Sequence, residues 1–582
     1  MSAMTPRAFF QRLGLAMRRN SPLFFVAKLS PLMVTFMATL AVADAPNSQP
    51  DLPVSIRIDA AKPSGQWKPV WRFFGYDEAD FSFMPFGQKL LTELSQLQGQ
   101  VFIRCHHLLT SGDGTPALKW SSTNAYTEDA HGNPVYNWTI TDRIFDAYVQ
   151  RGLKPYAQIG FMPKDLSTRP DLYPTTFPSG KLVPVVGGQS YPPKDYEKWR
   201  NLVHAWVSHC VQRYGQSEVE KWYWEVWNEP NISYWHGSPE EYYQLYDYAV
   251  DGVRRALPTA RVGGPEQAGG GGKFLRGFLQ HCTGGDNTAT GAKGSPLDFI
   301  SFHAKGSPRF LDGHVRMGLS SQLNNVESGF ATVAEFPQFK NTPIVIGESD
   351  PDGSAASIGP QLNYRNSPLY ACYTAAALAR TFEIADERHV NFEGALTWAF
   401  EFEGERFFAG HRVLATNGID LPILNVFRMF SKMHGDRLPV ESSSADSLAS
   451  IEKTGVRAAP DVSALAALDA RQLAILLWNY HDDDVPGPIA DIALSVANLP
   501  PAAATATLTE YRIDRSHSDA YTLWLQMGSP QHPTSQQYAA LQSAGQLEIL
   551  DAPHRVSLSQ GNFDLHVHLP RQGVSLLVLT FD

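Results

Sequence analysis

The sequence predicts an α/β fold, a (β/α)8 TIM barrel, with an accessory C-terminal β-sandwich. Three observations predict it. Between residues 66 and 432, short apolar strands alternate with amphipathic helices eight times. Beyond residue 432 the helical period gives way to short strand-like runs separated by Pro, Gly, Asp and Ser. The competing fold, an open doubly wound sheet, lacks its Gly-rich phosphate turn, because "AGGGGKF" at 268–274 has no P-loop spacing and reads as a loop.

Residues 1–43 read as a secretory signal peptide. Arg7, Arg12, Arg18, Arg19 and Lys28 precede an apolar run that ends in Ala41-Val42-Ala43. The alternative, an uncleaved membrane anchor, is disfavoured by the shortness of that run. A periplasmic or secreted location is expected. Residues 44–65 carry an alternating strand, "LPVSIRIDA", that has no place in the barrel count and is assigned to the sandwich. Barrel strands follow at 72–75, 101–106, 155–159, 221–227, 261–264, 298–303, 343–347 and 395–398. The helices between them show the expected period. From Trp199 to Tyr214 apolar residues recur at three- and four-residue steps, and Gly215 stops the helix. In "SPEEYYQLYDYAVDGVRRAL", Ser238 is the N-cap, Pro239 the first helical residue, and Glu241 completes a capping box. Residues 433–582 form the sandwich, with "QLAILLWNYH", "YTLWLQM", "QLEILDA" and "FDLHVHL" among its strand-like runs. Its expected role is to brace the barrel.

Composition narrows the function. The 582 residues are 43% apolar and 18% charged, which is globular. The net charge is −10, and beyond the N-terminus there is no basic stretch with interleaved aromatics, so nucleic acid is excluded as a partner. Thirteen Trp suit either a very aromatic core or a carbohydrate binder. Cys105, Cys210, Cys282 and Cys372 are scattered, without CxxC, and read as buried thiols. His566 and His568 share one strand face but lack a third ligand, so they read as a solvated face. No metal, no cofactor and no stable membrane partner is expected. Oligomeric state is left open.

A barrel's site lies at the C-terminal ends of its strands, so the strand reading selects the candidates. Strand two ends in Arg104, His106 and His107. Strand four ends in Trp227, Asn228, Glu229 and Pro230. Strand six ends in His303, strand seven in Glu348, and strand eight in Trp398. Glu229 and Glu348 therefore face one pocket. Glycoside hydrolysis needs such a pair, one protonated to release the leaving oxygen and one ionised to attack the anomeric carbon or activate water. Asn228 would bond the sugar hydroxyl beside the anomeric carbon, and Trp398 would carry the ring. A lone strand-end Glu is more often a salt-bridge partner, so the combination carries the reading. Arg104 would lie beneath the site as a structural charge, and Glu225 receives no role.

These motifs bear a family resemblance. "WEVWNEPN" and "PIVIGESD" resemble the clan of barrel glycosidases with the acid/base on strand four and the nucleophile on strand seven. "FFGYDEADF", "IRCHHLLTSGDG", "DFISFHAKG" and "TWAFEFEGERFFAGHRVLATNGIDLPILNVFRMF" are similar to glycoside hydrolase family 39 over about residues 70–435. That family includes β-xylosidases and α-L-iduronidases. The resemblance implies Glu229 as acid/base and Glu348 as nucleophile, with retention of configuration. It implies Asn228, His106, His303, Trp398 and Phe74 as sugar contacts, and Glu403 as the acid of the strand-eight loop, ahead of its neighbours Glu401 and Glu405. Lys305 stands where the family often has an aromatic. The expected activity is a retaining β-xylosidase acting on xylo-oligosaccharides. An α-L-arabinosidase or α-L-iduronidase is the alternative within enzymes. A non-catalytic carbohydrate-binding protein is the alternative outside them, since a fold does not fix a function.

Overall fold

The computed structural model describes residues 50–174, 187–500 and 504–582. The signal-peptide reading of residues 1–43 lies outside the described residues. Eight parallel strands close a barrel in chain order: Phe73–Tyr76, Phe102–Cys105, Lys154–Ile159, Tyr223–Val226, Arg261–Gln267, Phe299–Lys305, Ile344–Asp350 and Phe392–Trp398. Each pairs with its sequence neighbours, and the eighth with the first.

Alternation along the strands divides the apolar residues into two cores. Inward residues form an aromatic floor of Phe73, Phe102, Tyr156, Tyr223 and Phe299. Phe73 stacks on Phe102 and Tyr156 on Tyr223, each with ring centroids 5.0 Å apart. Outward residues pack against the helices. Helix Tyr196–Tyr214 buries Trp199, Leu202, Val203, Trp206, Val207 and Cys210, and Asp195 caps it by accepting from the Lys198 N–H. Helix Pro239–Ala256 starts in a reciprocal capping box between Ser238 and Glu241. The four cysteines are free and buried. Among the described residues no helix is long and apolar enough to cross a membrane.

The sandwich has two sheets. Leu52–Asp59 lies in the smaller one, parallel to Ala490–Ala497 and antiparallel to Val440–Ser442, and Phe563–Leu569 closes that sheet. The larger sheet includes Asp461–Leu468, Gln472–Tyr480, Val574–Phe581 and Thr505–Ile513. Ile56, Ile58, Ile475, Leu477, Val496 and Leu577 fill the space between the sheets. The opposite face of the larger sheet joins the barrel core through Ala474, Leu476, Trp478 and Tyr480. This strand is therefore buried on both faces, which accounts for its unbroken apolar run. His566 and His568 lie on the exposed face of the smaller sheet.

One segment departs from the sequence reading. "YTLWLQM" is not a strand but the core of helix Ala520–Gln526. Asp519 caps it by accepting from the N–H groups of Tyr521 and Thr522, a local bond that outweighs β propensity. Tyr521 and Trp524, three residues apart, then both lie against Phe408 of the strand-eight loop. "QLEILDA" contributes only the short strand Glu548–Ile549.

Ile56 is fully buried in the sandwich core. Ile56→Ala is expected to cost about 2–5 kcal/mol of stability, read by denaturant unfolding, with kcat and KM unchanged well below the transition. An unchanged midpoint would mean that the N-terminal strand does not contribute to the core.

Candidate active site

The open end of the barrel gathers charged side chains above the aromatic floor. The lowest layer is a buried ion cluster. Arg104, from strand two, donates through Nε to Glu225 Oε2 at 2.5 Å and through Nη2 to Asn228 Oδ1 at 3.0 Å. Glu225 Oε1 also accepts from the Tyr156 and Ser301 hydroxyls at 2.7 and 3.0 Å. Burial pushes the Glu225 carboxyl up, to about 8, despite Arg104.

The next layer holds the carboxylates read from sequence. His303 stands between them. Its Nδ1 is 2.8 Å from Glu229 Oε1 and its Nε2 is 3.8 Å from Glu348 Oε1. Lys305 Nζ lies 2.6 Å from Glu348 Oε2 and 2.5 Å from Asp350 Oδ2. Arg104 Nη1 and His106 Nε2 approach Glu348 Oε1 to 3.6 and 4.0 Å. Burial raises the Glu348 carboxyl, but His303, Lys305 and Arg104 outweigh it and hold the group well below the usual carboxylate range. Burial works against the charge on His303 too, yet Glu348, Glu229 and Glu266 raise its pKa to about 10.

The sugar-contact candidates divide. His106, Asn228, His303 and Trp398 all meet this cluster. Asp77 ties three groups together, accepting from His106 Nδ1 at 2.9 Å, Trp398 Nε1 at 3.0 Å and Lys119 Nζ at 2.5 Å. Arg104 Nη1 donates to His106 Nε2 at 3.1 Å, so His106 carries its proton on Nδ1. The Trp398 ring lies over Gly75, where a Cβ would come within 2.5 Å of it. Its backbone N–H is held by Asp350 at 2.9 Å.

Phe74 and Glu403 stand elsewhere. Phe73 faces the barrel interior, so Phe74 faces out, and its ring packs edge-on against Phe427 at 4.9 Å. Glu403 accepts from the Phe86 N–H at 3.2 Å, at the start of helix Pro85–Ser95, where an unpaired donor and the helix dipole favour a carboxylate. Glu401 is buried and accepts from the Gly418 N–H, and Glu405 lies 3.4 Å from His411. The acids that join the cluster are instead Asp77, Glu225, Glu266 and Asp350. Glu266 and Asp350 stand at strand ends, as Glu229 and Glu348 do. Strand five runs to Gln267 and strand seven to Asp350, each three residues beyond the sequence reading.

The backbone here is held in an unusual state. Trp227, Glu229 and Glu266 have φ of +74°, +46° and +54°, and His107 and Lys119 have +64° and +62°. Left-handed non-glycine residues cost free energy and cluster where a side chain must be aimed. Among the described residues no group of three or more His, Cys, Asp or Glu is arranged to hold a metal ion.

Comparison with known proteins fits this geometry. The pattern of glycosyl hydrolases family 39 matches residues 54–557. The β-xylosidase of Geobacillus stearothermophilus is 27% identical over 489 residues, which cover 82% of this chain and 85% of that one. The α-L-iduronidase of Mus musculus is 27% identical over 588 residues, covering 92% of this chain and 82% of that one. The crystal structure of a monomeric β-xylosidase from Caulobacter crescentus CB15 superimposes with a TM-score of 0.71 at 22% identity, covering 90% of this chain and 99% of that one.

The raised pKa of His303 makes a testable contribution to stability. Stabilisation by the imidazolium is fully present below about pH 6.5, the ordinary histidine value. It is lost as pH rises toward about 10. The Tm difference between wild type and His303→Gln is therefore expected to be largest near pH 6 and to shrink through that window. A difference independent of pH would show that His303 is not held charged.

Proposed function

Since the chain belongs to the glycosyl hydrolases of family 39, we propose that it is a retaining exo-glycosidase that releases terminal β-D-xylosyl residues from xylo-oligosaccharides. In this reading Glu229 is the acid/base and Glu348 the nucleophile. The observation that carries it is the placement of the two carboxyl groups on either side of His303. Glu348 attacks the anomeric carbon as Glu229 gives its proton to the leaving oxygen, so the glycosidic bond breaks as a glycosyl–enzyme ester forms. Glu229, now ionised, takes a proton from water, the water oxygen attacks the anomeric carbon, and Glu348 leaves. Two inversions return the β anomer. The environments support the division of labour. Cations surround Glu348, as an ionised nucleophile requires, whereas Glu229 is the more open of the two, with 17% of its side chain exposed.

A second reading, an α-L-iduronidase, is favoured by Lys305. A primary ammonium in the pocket could receive a uronate carboxylate, and the mouse α-L-iduronidase is among the relatives. Against it, Lys305 already has two carboxylate partners, Glu348 and Asp350. The basic and apolar N-terminus further supports export, to periplasm or medium, with Asp44 as the first residue of the mature chain. N-terminal sequencing of the exported protein checks this, and a retained residue 1–43 segment would overturn it.

Initial rates on nitrophenyl β-D-xyloside, nitrophenyl α-L-arabinoside and methylumbelliferyl α-L-iduronide separate the substrate readings. Xyloside turnover with β-xylose appearing first by NMR is the expected result, and α-xylose first would remove Glu348 as nucleophile. Turnover of the iduronide alone, with KM raised by Lys305→Met, would establish the second reading. Glu229→Ala is expected to lower kcat about a hundred- to ten-thousand-fold on unactivated glycosides, and Glu348→Ala to abolish turnover. A wild type inert on all three substrates would point to a binding protein.

A further inference from the structure

Glu266 is completely buried, and four features converge on it. It sits at a bulge. Ser301 pairs with Pro265 and Phe302 with Gln267, so Glu266 is the extra residue of strand five. On the other side of strand six, Phe302 pairs with Ile346 and His303 with Glu348, leaving Gly347 as the extra residue of strand seven. Bulges beside active sites re-aim side chains. The carboxylate of Glu266 then reaches across the end of strand six to Gly347, where a Cβ would lie 1.3 Å from Oε1. Only glycine leaves that space, immediately before Glu348. From there Oε1 is 3.2 Å from His303 Nε2 and 3.4 Å from Arg104 Nη2. Finally, the Glu266 backbone carbonyl accepts from the Glu229 N–H at 2.8 Å.

A counter-ion for Arg104 would need none of this. A plain ion pair does not require a left-handed residue at a bulge, facing the glycine of a second bulge. We propose that Glu266 is the positioning residue of the catalytic pair, orienting Glu229 from below through its own carbonyl and from the side through His303, and setting the place of Glu348 by packing on Gly347. This rests on the reading of Glu229 as acid/base. His303 bonds Glu229 through Nδ1 at 2.8 Å, while its Nε2 lies 3.2 Å from Glu266 Oε1 as an ion-pair contact without hydrogen-bond geometry. A negative charge at Glu266 also favours the protonated form of His303. Glu348 of strand seven faces His303, and around Glu348 stand Lys305 of strand six, Arg104 of strand two with Glu225 behind it, and the neutral His106.

The test compares Glu266→Gln with wild type in the full chain, on aryl xylosides with good and poor leaving groups. A poor leaving group needs the proton from Glu229, and a good one does not. The expected result is a loss in kcat/KM, which reports the glycosylation step alone, of about tenfold or more on the poor leaving group and little loss on the good one. The alkaline limb of kcat/KM should move down by about one pH unit, because removing a negative charge makes nearby acids release protons more readily. Gly347→Ala displaces the same carboxylate without changing any charge, and should give the same leaving-group dependence with a smaller shift of the limb. If Glu266→Gln does not fold, Gly347→Ala decides. Equal losses on both leaving groups, or wild-type behaviour on both with an unmoved limb, would reduce Glu266 to a buried counter-ion. Glu229→Ala is run alongside. If it shows no leaving-group dependence, the acid/base reading has failed, and the role of Glu266 falls with it for that separate reason.

Discussion

Arg104 sits at the centre of the barrel without solvent exposure, and its charge favours the ionised forms of the acids around it, Glu266 above all. An isolated buried ion costs several kcal/mol, and removing one partner of such a pair costs about 3–5 kcal/mol. Here a single guanidinium faces Glu225, Glu266 and Glu348. The excess of negative charge is met in two ways. Glu225 takes up a proton most readily, and His303 and Lys305 bring positive charge to the acids above. Arginine suits the position because its planar fork offers five donors in fixed directions, which reach Glu225, Asn228 and His106 together. A lysine could not span them.

The ion cluster depends in turn on what lies beneath and behind it. The aromatic floor excludes water from below, so the charges interact in a low dielectric. Behind strand eight, Arg412 Nε donates to the Trp398 carbonyl at 2.8 Å and Arg365 Nη2 to Asp352 Oδ1 at 2.7 Å, anchoring the segments that follow the strand ends at Trp398 and Asp350. The second domain reaches this region too. Tyr538 donates to the Asn417 carbonyl at 2.7 Å, and Asn425 Nδ2 to the Gly545 carbonyl at 2.8 Å.

Much of this was readable in the sequence, for physical reasons that also explain what was not. The eight barrel strands show because each is a short apolar run set between amphipathic helices. Glu229 and Glu348 show because strand ends in a barrel point to one place. Phe74 went astray on a shift of one residue: "FF" does not say which ring faces in, and only the packing of Phe73 on Phe102 settles it. Glu403 was one of three acids in a loop without periodicity, and its fate was set by an unpaired helix N–H far away in sequence. Glu266 was hidden because its strand was read as ending at residue 264; a bulge leaves no periodic trace, and "GGPEQ" looks like a turn. The helix at Ala520–Gln526 was hidden because one capping aspartate decides it.

The larger sheet has no face to spare. One side closes the sandwich on Ile475 and Leu477, and the other lays Trp478 and Tyr480 on the barrel, where Tyr480 meets Tyr373 at 5.8 Å. The C-terminal half is thus not a portable module. Cut away, it would leave the barrel with a strip of bare aromatics along helix Pro368–Arg388 and the strand-eight loop without its clasp. Recombination between relatives would have to exchange both halves together, so the pocket inherits its shape from residues more than a hundred positions downstream of its last strand.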